Sequence, residues 1–459
     1  MEAVPDPLVR YCGHPLVDVG AAVLAILAGK EAPEELTMED LDSAAEAMLT
    51  AYRSETMRSY LSVLFPNSAY VNPTMGPDKR DAFYDTYVRA YRRTDDLGAR
   101  CVFTGRPAQV RIYRQHLPLI TGEGLFNFVP QGEPGLPVSG TALLCIQAMP
   151  LGTLRSQGRA LLVHSSRNVL TFDFAKEFYD ANSTHELLEA LAPSGATPKT
   201  IVLKKLTDIE HKALLQARRS QPEGVTVYHF TNYGTNADVD IYPLPAFMVD
   251  FLREVQGRDA WKSLVAHYWQ VGKKGETLGR NFLYEQVFEL PNNAQRFVRE
   301  FLLGRPRRGG TPGPRASWEL VDLFLRKVLD MTGSRIETIR QVATNLADHI
   351  IETQDAQLFR RLFRCTNFRD VSWLLLRSTE RNTRAGRGSV TTFDEFIAAF
   401  GISEDLARPD WRLALDLTLL RTIELLDERG FFKRPDVQQE LAALSQDEEE
   451  PEPVGAPEL

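Results

Sequence analysis

The chain changes texture at Pro243, and that change constrains its fold more than any other feature. Beyond it, "LPAFMVDFLREV", "DAWKSLVAHYWQ", "NFLYEQVFEL", "NAQRFVREFLLG", "ASWELVDLFLRKVLDMTG", "IETIRQVATNLADHIIETQ", "FRDVSWLLLRSTERNTRAG" and "DWRLALDLTLLRTIELLDERG" are amphipathic and of helical length. Between residues 100 and 240 the pattern is different. "RCVFTG", "VRIYR", "LFNFVP", "RALLVHS", "KTIVLKKL" and "VTVYHFTNYG" are short β-rich runs between Gly and Pro turns. Residues 1 to about 65 read as helix, with Thr37 and Asp40 forming an approximate capping box. The expected class is α+β, a mixed α/β N-terminal region followed by an all-helical C-terminal bundle. The expected parts are a mixed domain over 1–242, a helical connector over 243–303, a Gly/Pro/Arg-rich loop over 304–317, a helical bundle over 318–445 and an acidic, disordered tail over 446–459.

Charge is unevenly distributed along the chain. The net formal charge is -8, but the last fourteen residues hold six acids and no base, which leaves -8 + 6 = -2 for the rest. Residues 291–390 carry 18 Lys and Arg against 10 Asp and Glu, a net of +8, and 17 of the 18 are Arg. An Arg-dominated block in an otherwise acidic chain suits phosphate backbones, although a basic helix face also meets acidic proteins. No stretch approaches the roughly 20 apolar residues of a membrane helix, and the apolar run Val19–Gly29 lacks a basic lead. A cytoplasmic protein is therefore expected. Four scattered cysteines, Cys12, Cys101, Cys145 and Cys365, argue against a disulfide framework.

Familiar catalytic signatures are missing. The sequence has no G-x-x-x-x-G-K-[ST] loop, no G-x-S-x-G elbow and no H-E-x-x-H helix, and "TGEGLFNF" is a poor Rossmann turn. A binding protein ranks above an enzyme. "CVFTG" (101–105) and "CIQA" (145–148) each begin like half of a metal knuckle, but Thr104 and Ala148 occupy the place of the second thiol. The candidate ligands Cys101, Cys145, His116 and His164 are far apart in sequence, so no chelating pair is pre-formed and no zinc or other cofactor is expected. The two cysteines are expected to lie near each other as small buried residues of the β-rich region.

Three stretches invite more than a packing role. In "CGHPLVDVG" (12–20), Asp18 could cap the helix that follows, or Gly13 and His14 could sit near a phosphate. "HFTNYGTN" (229–236) ends a strand with Asn232 and Tyr233, which could read or wedge bases, or be an Asn-rich turn. "RSTERNTRAGRG" (377–388) sets Arg377, Arg381 and Arg384 three and four residues apart, on one helix face, with Arg387 beyond. Arginines so placed repel one another unless anions sit opposite.

In this order, "GHPLVDVG", "CVFTG", "LFNFVP", "GTALLCIQAMPLG", "FTNYG" and a helical C-terminal third resemble the large subunit of type I CRISPR interference complexes (Cascade), of the type I-B-like, Myxococcus-type branch. The resemblance covers most of the chain. It implies a non-catalytic subunit at the 5′-handle end of the crRNA, beside the Cas-five-type and Cas-seven-type subunits. Such a subunit reads the PAM in double-stranded target DNA, promotes duplex opening and guides the displaced single strand, while a helicase-nuclease is recruited in trans. The branch's paired-cysteine knuckles are broken here at Thr104 and Ala148. Carried onto this chain, the resemblance assigns base contacts to Asn232 and Tyr233. Backbone contacts fall to Arg106, Arg111, Arg114, Lys273, Lys274, Arg307, Arg308, Arg377, Arg381, Arg384 and Arg387. The C-terminal bundle is small-subunit-like, and Met331 is a conceivable internal start. The alternatives are a scaffold that binds acidic proteins through its basic helices, and a metal-dependent nuclease.

Overall fold

A computed structural model describes the chain except residues 1–5, 120–134, 184–195, 216–220, 222, 233–236, 274, 276, 305–312, 315, 356, 359, 360, 363, 364, 366, 402–410, 436 and 439–459, and the side chain of residue 214. The fold is α+β, and the chain forms two compact units. The first comprises residues 1–293 and 313–320, the second 294–312 and 321–459.

The first unit is built around helix α1 (Pro15–Leu27), whose residues from Leu16 to Ala25 are all buried. A helix enclosed on every side must be apolar all round, and "LVDVGAAVLA" is, apart from Asp18. Helices α2 (Met38–Ala51), α3 (Glu55–Leu64) and α4 (Pro77–Phe83) follow. Thr37 caps α2 through a complete capping box with Asp40. A short ladder pairs β1 (Val110–Ile112) with β2 (Leu136–Val138) and leads into α5 (Gly140–Ala148). Helix α1 packs on α5, on α6 (Asn168–Ser183) and on the intervening turn Met149–Gly152. The α1–α5 contact is very close: a Cβ on Gly20 would lie 1.7 Å from the Cys145 carbonyl oxygen.

Four antiparallel strands, β3 (Leu154–Ser156), β4 (Arg159–Ser165), β5 (Val225–Thr231) and β6 (Asp238–Leu244), form the main sheet in sequence order. Helix α7 (Pro198–Leu215) enters between β4 and β5 and is tied to α8 (Ala246–Val255) by a partly buried ion pair, Arg253 Nε to Glu210 Oε2 at 2.6 Å. Next come α9 (Asp259–His267), a hairpin of β7 (Trp269–Val271) and β8 (Thr277–Asn281), and α10 (Phe282–Val287).

The second unit is helical: α11 (Ala294–Phe297), α12 (Trp318–Lys327, which begins in the first unit), α13 (Gly333–Thr353), α14 (Phe368–Arg384), α15 (Phe393–Phe400) and α16 (Trp411–Glu428). Helix α13 packs against α15 and α16. Ile339, Val342, Ala343, Leu346 and Ile350 recur every three or four residues along its buried side.

Some local expectations do not survive. "KTIVLKKL" is part of helix α7, not a strand, because its apolar residues also satisfy a helical repeat and Val202, Leu203 and Leu206 are buried together. Cys145 lies inside helix α5, and "CVFTG" is a turn with one isolated bridge, Arg100 to Pro107. The region after Pro243 is not entirely helical, since the β7–β8 hairpin interrupts it. "LFNFVP" and the acidic tail lie outside the described residues.

Candidate nucleic-acid interface

Helix α14 carries the candidate site. Asn367 starts it: its Oδ1 accepts from the Asp370 N–H at 3.0 Å, and its Nδ2 donates to the Asp370 carboxylate at 2.8 Å. Val371, Leu374, Leu375, Ser378 and Asn382 form the buried face. The helix ends in a Schellman motif, with the Gly386 N–H donating to the Thr383 carbonyl and the Arg387 N–H to the Asn382 carbonyl. Gly386 adopts φ +72°, which a side chain would oppose. This turn fixes Arg387 at the end of the arginine row.

Asn382 sits among the arginines yet is only 6% exposed. Its Oδ1 accepts from Nδ1 of buried His349 on α13 at 2.6 Å. Burial pushes His349 below the ordinary histidine value, so the ring is neutral at pH 7 and holds its proton at Nδ1. A second tether runs between the Thr379 hydroxyl and the Thr391 backbone. These bonds attach the arginine-bearing end of α14 to its own unit.

The opposite face is open. At 3.6 residues per turn, Arg377, Arg381 and Arg384 fall within about 60° of one another. Arg384 reaches Glu380 at 2.7 Å and Arg381 approaches Asp355 at 3.8 Å. Exposed pairs of this kind contribute about 0–1 kcal/mol and exchange readily for other anions. From Arg369 to Arg387 the sequence holds five arginines against Asp370 and Glu380, 5 - 2 = +3. Trp373 belongs to the same face, 50% exposed, and the Arg377 guanidinium lies 4.4 Å from its ring centroid. Sequence reasoning missed Trp373. The signal was present, because Trp373 falls opposite the Val371–Leu374–Ser378 side of the helical repeat.

The remaining predicted contacts divide sharply. Asn232 is fully buried. Its N–H donates to the Val63 carbonyl at 2.7 Å and its Nδ2 to the Leu64 carbonyl at 3.3 Å, so it closes the C-terminal end of α3. Its own carbonyl accepts from Arg114 Nη2 at 3.0 Å. Asn232 is therefore a fold residue and not a base reader, and Arg114 is engaged with it. Asn232→Ala removes the Nδ2 bond to the buried Leu64 carbonyl and should cost about 1–3 kcal/mol of stability. Chemical denaturation measures this directly, and an unchanged midpoint would count against the capping role. Arg106 is also committed, donating to the Pro7 and Leu8 carbonyls and pairing with Asp6 at 2.8 Å. Arg111 lies half-buried on β1 opposite Pro137. Lys273 is exposed at the β7–β8 turn. Tyr233, Lys274, Arg307 and Arg308 lie outside the described residues.

The cysteine stations lie on a turn and on helix α5. The Cys101 N–H donates to the Arg106 carbonyl and its carbonyl accepts from the Gly105 N–H, a knuckle-like turn. Burial alone would push the Cys101 thiol up. Hydrogen bonding with the Thr104 hydroxyl, with Ser139 and with the Phe103 backbone outweighs burial and holds it below its ordinary value. Thr104 thus hydrogen-bonds the thiol from the position of the missing ligand. Cys145 is raised by burial. Cys101 and Cys145 belong to one core and are within electrostatic reach of each other. Among the described residues, no group of three or more His, Cys, Asp or Glu side chains is arranged to hold a metal.

"CGHPLVDVG" also resolves into structure. Helix α1 starts at Pro15, so Asp18 lies within its first turn and is not its N-cap. The buried carboxylate accepts from the Cys12 and Gly13 N–H groups at 2.8 and 3.0 Å and meets His164 Nε2 at 3.0 Å. His14 occupies the N-cap position without a capping side-chain bond.

Comparison of the chain with protein-family models, curated proteins and solved structures finds no match. Among the described residues, no helix is long and apolar enough to cross a membrane.

Proposed function

We propose that this chain is a non-catalytic DNA-recognition subunit of an RNA-guided interference complex of the type I CRISPR kind. The arginine face of α14 carries the reading: a net +3 segment whose charges point to solvent on a helix held by neutral buried bonds. In such a complex the crRNA pairs with the target, and the protein reads the PAM, favours opening of the duplex and holds the displaced strand by its backbone. Arg377, Arg381, Arg384 and Arg387 supply phosphate contacts, which position a strand without reading its sequence. The order of sequence motifs that resembles the Cascade large subunit supports the assignment. Buried Asn232 leaves PAM reading to other residues of the first unit. The partners on this reading are crRNA, target DNA, Cas-five-type and Cas-seven-type subunits, and a helicase-nuclease acting in trans.

Replacing Arg381, Arg384 and Arg387 together with Ala should weaken DNA binding on every sequence alike. It should also flatten the plot of log affinity against log salt by about 2–3, since each phosphate contact contributes about 0.7–0.9. Mobility-shift titrations at several salt concentrations provide the measurement. Equal affinity and slope in the triple variant would remove α14 from the interface. Loss of binding to an acidic protein partner, with DNA binding intact, would favour a scaffold instead.

A further inference from the structure

We propose that Trp373 and Arg377 form a stacking step for unpaired bases, making α14 a platform for single-stranded DNA in preference to duplex. The inference rests on the DNA-binding reading above and specifies which form of DNA this face takes.

Trp373 stands half exposed on the solvent face of the helix, beside exposed Leu376 and among the arginines. Arg377 from the next turn lies over its ring, with the guanidinium 4.4 Å from the ring centroid. Indole and guanidinium are both planar, and both accept a nucleobase on their faces. Arg369 lies one turn before Trp373, while Arg381 and Arg384 lie one and about two turns beyond Arg377. The row Arg369, Trp373, Arg377, Arg381 advances about 6 Å per step. That interval lets an extended strand place phosphates on the flanking cations and lay a base on the ring between them.

Two features decide the partner. The first is charge: an aromatic ring bracketed by Arg369 and Arg377, with Arg381 and Arg384 further along the helix, attracts a polyanion, and the acids close by are outnumbered. The second is shape. A duplex keeps its bases stacked inside and offers a helix phosphates and groove edges but no free base faces, so an exposed indole finds nothing there to stack on. A single strand exposes π-faces, and each base stacked on an aromatic side chain typically contributes enough for a tenfold or greater gain in affinity.

The test uses the full chain with three probes: fluorescent oligo(dT), a duplex of equal length and oligo(rU), in anisotropy titrations. Trp373→Ala should weaken oligo(dT) binding about tenfold or more with an unchanged salt slope, and leave duplex binding within about twofold. Trp373→Phe, which keeps a π-face, should retain most of the affinity. Equal losses on single strand and duplex, or oligo(dT) binding untouched by Trp373→Ala while the arginine variant still fails, would overturn the stacking step and leave the DNA-binding reading standing. Stronger binding of oligo(rU) than of oligo(dT) would overturn the assignment to DNA. Failure of both the tryptophan and arginine variants to change any affinity would remove the underlying reading as well.

Discussion

Gly20→Ala is expected to destabilise the first unit by about 3 kcal/mol or more, a large fraction of a domain's typical stability. The added methyl carbon would lie 1.7 Å from the Cys145 carbonyl oxygen and 2.3 Å from its carbonyl carbon. Neither atom belongs to a side chain that can rotate away, so helices α1 and α5 must separate. Separation would open the core, because Val17, Val19, Ala21, Leu24, Leu143, Leu144 and Ile146 are all buried in it. Gly13→Ala provides the contrast. No atom lies within 4 Å of a Cβ there, and the cost comes from φ +86° alone. Circular dichroism melts should show Gly20→Ala losing far more than Gly13→Ala. Similar midpoints for the two would refute the close approach as the reason for a glycine at position 20.

Acid is expected to weaken the same unit steeply. His116 is 1% exposed, lies with its ring centroid 3.9 Å from that of Tyr87 and 5.4 Å from that of Phe83, and accepts the Tyr113 N–H at Nδ1. Burial pushes its pKa down to about 4. Unfolded, the same ring titrates near 6.5. Between those values the unfolded chain binds the extra proton. The stability contributed by keeping His116 neutral is therefore complete above about pH 6.5 and is lost as pH falls towards 4. The slope approaches about 1.4 kcal/mol per pH unit. Half-buried His14 and buried His229 shift in the same direction and add to it. His116→Phe loses the bond to Tyr113 and should be less stable at pH 7.5, but its denaturation midpoint should fall less between pH 7 and 5. An equal fall in both proteins would show that His116 is not the group titrating.

What the sequence made legible follows from the range of the interactions involved. The Thr37–Asp40 box and the helix it starts depend on residues three apart and were readable. The periodic helices of the second unit were readable for the same reason. "KTIVLKKL" was not, because a short apolar run satisfies both the strand and the helix repeat until something packs on it. Asn232 is the plainest case of a residue that spacing could not place. An amide at a strand end reads as an exposed turn, and its true partners, Val63 and Leu64, stand about 170 residues earlier in the chain. Arg106 was misread in the same way, since the carbonyls that engage it come from the chain's own lead. The arginines of α14 depend only on helical spacing, and their face was found. Trp373 lay within that same spacing and was overlooked because the reading followed charge alone.

The bond between His349 and Asn382 has a consequence for how this face responds to its surroundings. Counterions that crowd around the arginines screen their mutual repulsion and compete with any bound strand. They have no purchase on an amide and a neutral imidazole shut away from water beneath the same turn. Ionic strength therefore acts as a dial on occupancy while leaving the landing surface itself unaltered, so a strand that is shed as salt rises finds the same footing when salt falls again.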